Sequence, residues 1–191
     1  MPRWIKRTII YGLIGLAALP LLQSHSGTAT TVETADYPLP EFTHPQADAW
    51  INSPPLSVKT LKGKVVLIDV WTFGCWNCYR SFPWLKELEM RYASQGLQVI
   101  GVHTPEFDRE KVRQKLIDKI HEFGLKHPIM IDNNFSYWRA LNNHYWPGYY
   151  LVDRQGTVRF RFVGEMHTNT AKAKLVEQEI ERLLAEPVPK H

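Results

Sequence analysis

Cysteine is scarce in this chain: its 191 residues contain two, Cys75 and Cys78. A zinc site takes four ligands, and neither a second cysteine pair nor a His-x-x-x-His spacing accompanies this one, which excludes a structural zinc centre. Surplus basic charge is missing too. The formal net charge is +4, but Arg3, Lys6 and Arg7 sit in the first 29 residues, where no acidic residue balances them. Beyond residue 29 the balance is 20 basic against 19 acidic residues. No basic stripe is left for a phosphate backbone, so nucleic acid is excluded as a partner. Long apolar runs are lacking as well: the run from Ile9 to Leu22 falls short of the roughly 20 residues of a spanning helix. Internal repeats and low-complexity tracts are absent.

What is present begins with that short run. In MPRWIKRTIIYGLIGLAALPLLQSHSGTA a basic start precedes apolar residues and then small and polar ones, the layout of a secretory signal or an N-terminal membrane anchor over residues 1–29. Gly27-Thr28-Ala29 offers a small-x-small cleavage site, yet it lies several positions past the apolar run, which leaves an uncleaved tether open. A buried core helix would gain nothing from the basic flank. Either reading places the rest of the chain in the periplasm or an equivalent extracytoplasmic space. Residues 30–46, polar and carrying Pro38, Pro40 and Pro45, read as a linker. A hydrophobic content of 44% with seven tryptophans is ample for one globular domain, expected over residues 47–186 with a tail at 187–191.

Within that domain AWINSPPLSVKTLKG predicts a short extended element, a turn at Pro54-Pro55 and a second short element closed by Gly63. Residues 64–70, KVVLIDV, form a continuous β-branched run suited to a strand buried on both faces. A helix follows from Cys75 to the stop at Gly96, with Pro83 inside it as a kink. Further elements are a strand at Leu97–Val102, a helix at Arg109–Phe123, a strand at Pro128–Asp132 and a short helix at Phe135–Leu141. A hairpin of Tyr149–Asp153 and Thr157–Val163 turns at Arg154-Gln155-Gly156, and a last helix covers Thr170–Ala185. Strands alternating with helices imply an α/β fold whose mainly parallel sheet is covered on both faces, with the hairpin adding antiparallel strands at one side. Reactive groups in such sheets lie beyond the carboxyl ends of the strands, where Cys75 falls, five residues after Val70.

Three chemistries compete for the two thiols: a redox couple, part of a metal site, or a peroxidase nucleophile beside a bystander. Cysteines at i and i+3 on a first helical turn share one face and can form a disulfide. The first sits where exposed amides and the helix dipole favour a thiolate, which makes Cys75 the expected nucleophile. Cys78, one turn deeper, is the expected resolving thiol that attacks the mixed disulfide. A purely static bridge so short would constrain the unfolded chain little. A Cu(I)-binding chaperone would hold the metal on Cys75 and Cys78, with His144 or His167. A peroxidase is suggested by T-x-x-C at Thr72–Cys75, but the pattern also wants a proline four residues before the threonine, where Ile68 stands.

The stretches WINSPPLSVKTLKGKVVLIDVWTFGCWNC, QGLQVIGVHTPEF and YWPGYYLVDRQGTVRFRFVGE resemble exported thioredoxin-like proteins of the TlpA/ResA type, and most of all the branch of the DipZ C-terminal domain. The resemblance spans roughly Trp50 to Leu184. It implies a thioredoxin fold, with a mixed central sheet flanked by helices, an N-terminal extension and an inserted helix-strand-helix segment. It implies thiol-disulfide oxidoreductase activity without a cofactor, in the reducing direction, since oxidising compartments already favour disulfides. Asp69 then matches the acid that exchanges a proton with the resolving thiol, Trp71 the aromatic beneath the active-site loop, and Pro83 the helix-kinking proline. Pro147 matches the cis-proline set against the cysteines, leaving the backbone of Trp146 to pair with a substrate strand.

Departures from thioredoxin itself are Gly74 for a tryptophan, Trp76-Asn77 for the central Gly-Pro, and Tyr79 for a lysine. Because the central dipeptide helps to set the redox potential, direction does not carry over from thioredoxin. His103 and His144 are candidates to approach Cys75 and stabilise its thiolate, whereas His167 and the other histidines read as surface residues. The partners implied are cysteine-containing exported proteins and a separate membrane electron donor.

Overall fold

The computed structural model describes residue 1 and residues 32–189. The expected signal or anchor therefore lies, Met1 apart, outside the described residues. At the centre of the sheet is β3 (Val65–Trp71), all seven of whose residues are buried, as its β-branched run demands. β4 (Leu97–His103) lies parallel to one side of it, and β5 (Ile129–Ile131) continues the parallel set. On the other side β6 (Gly148–Val152) and β7 (Thr157–Val163) form the antiparallel hairpin. Two further strands close the edges: β1 (Val32–Pro38) pairs antiparallel with β7, and β2 (Trp50–Ile51) antiparallel with β5. The order across the seven strands is β1-β7-β6-β3-β4-β5-β2, a mixed sheet of the expected kind.

Alternation along β3 divides the core in two. Val65, Leu67 and Trp71 face a cluster with Cys78, Phe82, Leu85 and Leu88 of α2 (Trp76–Tyr92), Leu116 and Ile120 of α3 (Arg113–Phe123), and Val176 and Ile180 of α5 (Ala171–Leu184). Val66, Ile68 and Val70 face the opposite cluster, in which Leu39, Phe42, Trp50 and Leu61 meet Tyr137 of α4 (Ser136–Ala140) and Tyr150. Two helical layers and a band of N-terminal chain thus sandwich the sheet.

That band corrects the linker reading of residues 30–46. Val32–Pro38 is an edge strand, and the segment after it is tied down: Leu39 N–H donates to the Gly156 carbonyl at 2.8 Å, and the Tyr137 hydroxyl donates to the Pro40 carbonyl at 3.1 Å. Phe42 stacks on Tyr137 at 5.1 Å and meets Trp50 edge-on at 5.2 Å, while His44 is buried against Asp132. The cause is that an edge strand is held by backbone hydrogen bonds and needs few apolar side chains, and prolines are at home on such edges. The second short element, after Pro54-Pro55, is the one-turn helix α1 (Val58–Leu61), started by a capping box between Ser57 and Thr60.

The helix expected from Arg109 is split. Asp108–Lys111 forms a single 3-10 turn, Val112 returns to extended backbone, and α3 starts at Arg113. The Glu110 carboxylate causes the break by accepting the Glu106 and Phe107 amides, which winds this turn inward. Downstream of α2, a 3-10 turn at Ala93–Gln95 leads to Gly96, whose φ of 105° is left-handed.

Candidate active site at the start of α2

Leaving β3, the chain makes a turn in which the Cys75 amide donates to the Thr72 carbonyl at 3.2 Å. Cys75 is the N-cap of α2, in extended backbone, and its Sγ accepts the Cys78 amide at 3.1 Å. A sulfur placed there faces the unpaired amides and the positive end of the helix dipole. The two cysteines form a disulfide with a Cα–Cα distance of 5.3 Å. Cys75 is half-buried, whereas Cys78 is 1% exposed. A nucleophile open to a partner and a shielded second thiol is the arrangement that thiol exchange uses.

Asp69 shares with Cys78 the helix-facing side of the sheet, two residues before Trp71 on β3 and opposite Tyr149 on β6. Its Oδ1 has no hydrogen-bond partner, and burial pushes the carboxyl up to about 8. Trp71, fully buried at the end of β3, is edge-on to Phe82 at 5.2 Å and to His103 at 5.1 Å. Trp76, 66% exposed, stacks on Tyr79 at 5.3 Å, and Asn77 is exposed beside it. On this side a cleft of about 360 Å³ is lined by Phe73, Gly74, Cys75, Tyr79, Lys119 and Phe123, among others.

The Trp146–Pro147 peptide is cis, as the resemblance implies. Trp146 and Cys75 both pack on the cluster that holds Trp71 and Cys78. The Trp146 indole donates to the Thr104 carbonyl at 3.0 Å and lies 4.3 Å from the Trp138 ring. Pro147 is buried, and its carbonyl accepts the Gly164 amide at 2.9 Å.

Of the histidines, His103 is brought under the loop, with Nε2 3.3 Å from the Thr72 hydroxyl and its ring stacked on Phe73 at 5.6 Å. Burial lowers it to about 3, so the imidazole is neutral and offers no positive charge to a thiolate. His144 is exposed, with its ring against Tyr145, and His167 pairs with Glu165. Among the described residues no group of three or more His, Cys, Asp or Glu side chains is placed to hold a metal ion.

Glu110, and the hydrogen bond that gives Thr72 a part in the site, escape a reading of the sequence. Thr72 donates to Glu110 Oε2 at 2.6 Å, so the loop carrying Cys75 is tied to the turn after β4. Nothing in the polar stretch PEFDREK marks one carboxylate for burial; a 1% exposed Glu110 is a product of tertiary packing.

A family model described as Redoxin matches residues 34–178. Protein DipZ of Mycobacterium tuberculosis is 43% identical over 132 residues, which cover 68% of this chain and 19% of DipZ. The chain thus spans about a fifth of that relative's length. Thiol-disulfide oxidoreductase YkuV of Bacillus subtilis is 28% identical over 149 residues, covering 78% of this chain and 95% of YkuV. Among solved structures, a thiol-disulfide isomerase from Corynebacterium glutamicum superposes with a TM-score of 0.65 at 24% identity, covering 78% of this chain and 98% of that one.

Proposed function

The chain belongs to the Redoxin family, and on that premise we propose that it is a thiol-disulfide oxidoreductase that reduces protein disulfides by cycling Cys75 and Cys78 between dithiol and disulfide. The observation that carries the reading is the half-buried Cys75 sulfur on the N-terminus of α2, bonded to a fully shielded Cys78. Its kinship with YkuV, whose name states this activity, supports it.

The reaction proceeds from the dithiol form. The Cys75 thiolate attacks one sulfur of a substrate disulfide; an S–S bond forms between them, and the other substrate sulfur leaves as a thiolate. Cys78 then loses its proton, and its thiolate attacks Cys75 Sγ, which expels the second substrate thiolate and closes the Cys75–Cys78 bond. Two electrons pass to the substrate. The ionised form of Asp69 is assigned the proton from Cys78: with the buried carboxyl at about 8 it is a minority form near neutral pH, but its affinity for the proton matches that of an ordinary thiol near 8.5, so the transfer carries no steep cost. Trp71 supports the loop from below. Trp76, Asn77, Trp146 and Pro147 frame the disulfide, and a substrate strand would pair with the Trp146 backbone.

The basic-then-apolar start of the chain supports an extracytoplasmic location, by cleaved signal or by tether. Exported cysteine proteins are then the substrates, and a separate membrane component restores the dithiol. Replacement of Cys75 by Ser is expected to abolish insulin disulfide reduction. Cys78→Ser is expected to accumulate mixed disulfides through Cys75, visible as dithiothreitol-sensitive adducts. Full insulin reduction by a folded Cys75→Ser protein would end the proposal.

A further inference from the structure

Glu110 is a buried carboxylate that the exchange reaction above does not use. Its two oxygens have different surroundings. Oε2 accepts the Thr72 hydroxyl at 2.6 Å and the amides of Glu106 at 2.7 Å and Phe107 at 3.3 Å. Oε1 is buried and has no partner. It points at the active-site loop: a Cβ built on Gly74 would stand 1.9 Å from it. Cys75 is the next residue, and consecutive Cα atoms are about 3.8 Å apart, so Oε1 lies within about 7 Å of the Cys75 Cα.

We propose that Glu110 is a positioning residue for Cys75, latching the loop through Thr72 and holding a carboxylate against the loop that bears the attacking sulfur, which favours the disulfide and poises the couple as a reductant. The inference rests on the oxidoreductase reading and answers the question of direction that Trp76-Asn77 leaves open. A negative group near the thiolate destabilises the reduced form, and dithiols whose reduced form is stabilised are the oxidants. The same contact explains Gly74, where any side chain would meet the carboxylate.

Other charged or titratable groups facing the Cys75 region are Asp69 on β3, Tyr79 on α2, His103 on β4, Arg109 beside Glu110, and Lys119 and Glu122 on α3. The test must therefore change Glu110 alone. Glu110→Gln keeps the shape and an acceptor oxygen while removing the charge. In glutathione redox buffers its equilibrium, in which two glutathiones reduce the disulfide to Cys75 and Cys78 thiols and become one oxidised glutathione, is expected to move about tenfold toward the dithiol, equivalent to about 30 mV. The pH midpoint of Cys75 alkylation by iodoacetamide is expected to fall by about one unit. A structural role alone would move neither readout in a folded Gln variant, and an unchanged equilibrium and midpoint overturn the inference.

Glu110→Asp, which draws the carboxylate back from Gly74 by one methylene, is the second variant should Gln not fold. A smaller shift in the same direction supports the proposal, and none overturns it. Insulin reduction by the wild type, measured in parallel, keeps the two readings apart. If it is absent while Glu110→Gln still shifts the glutathione equilibrium, the proposed function fails and the positioning role stands.

Discussion

Asp69 is buried without a partner for Oδ1 and holds its proton up to about pH 8, whereas in the unfolded chain it ionises near 3.9. Between those values the folded state binds more protons than the unfolded one, so this residue makes stability fall as pH rises from about 4 to 8. The slope is at most about 1.4 kcal/mol per pH unit. Asp69→Asn removes it. Urea denaturation of the oxidised protein is expected to show the variant gaining on wild type between pH 5 and pH 8; parallel stability curves would contradict the burial argument. Gly74 makes the complementary case, since an added Cβ would collide with Glu110 at 1.9 Å. Gly74→Ala is expected to cost about 1–3 kcal/mol, as overpacking does, and Glu110→Ala in the same chain to recover part of that loss in a double-mutant cycle of thermal melts.

At the scale of elements, the N-terminal band covers one face of the sheet, and Phe42 is its main apolar anchor, 7% exposed between Tyr137 and Trp50. Phe42→Ala is expected to lower the unfolding free energy by about 3 kcal/mol, read from denaturant midpoints at unchanged slope. If residues 39–44 were a mere linker, the substitution would cost almost nothing. Such a band is hard to read in a sequence. β3 and β4 announce themselves because strands buried on both faces need unbroken apolar runs, and the hairpin does so through Arg154-Gln155-Gly156. β1 carries no such mark, for its bonds to β7 are main-chain bonds that almost any side chains permit. The cysteine pair was legible through its spacing, and the cis peptide at Pro147 through resemblance. Glu110 was not: its burial depends on the turn after β4 folding back onto Thr72, a contact between residues 38 positions apart.

For the whole molecule, strand direction sets which way the dithiol faces. β1 runs antiparallel to β7, and the pairings carry Val32 across Phe162 and Tyr149 to the level of Asp69, near the end of β3 that leads to Cys75. Three strand spacings of about 4.8 Å separate them, or about 14 Å. The chain before Val32 therefore joins the sheet at the end that bears the disulfide. If residues 1–29 stay in a bilayer, the reactive sulfur is turned toward the surface from which the protein hangs. A membrane-bound donor would then meet it at short range, while a bulky folded client approaching from the open side would be shaded by the sheet itself. After reduction to the dithiol and removal of the reductant, vesicle-reconstituted full-length chain is expected to react more slowly than detergent-solubilised chain with a maleimide attached to a large polymer, and at the same rate with a small one. In a chain held at a bilayer by its first residues, the geometry of one edge strand would thus act as a filter on who can reach the sulfur.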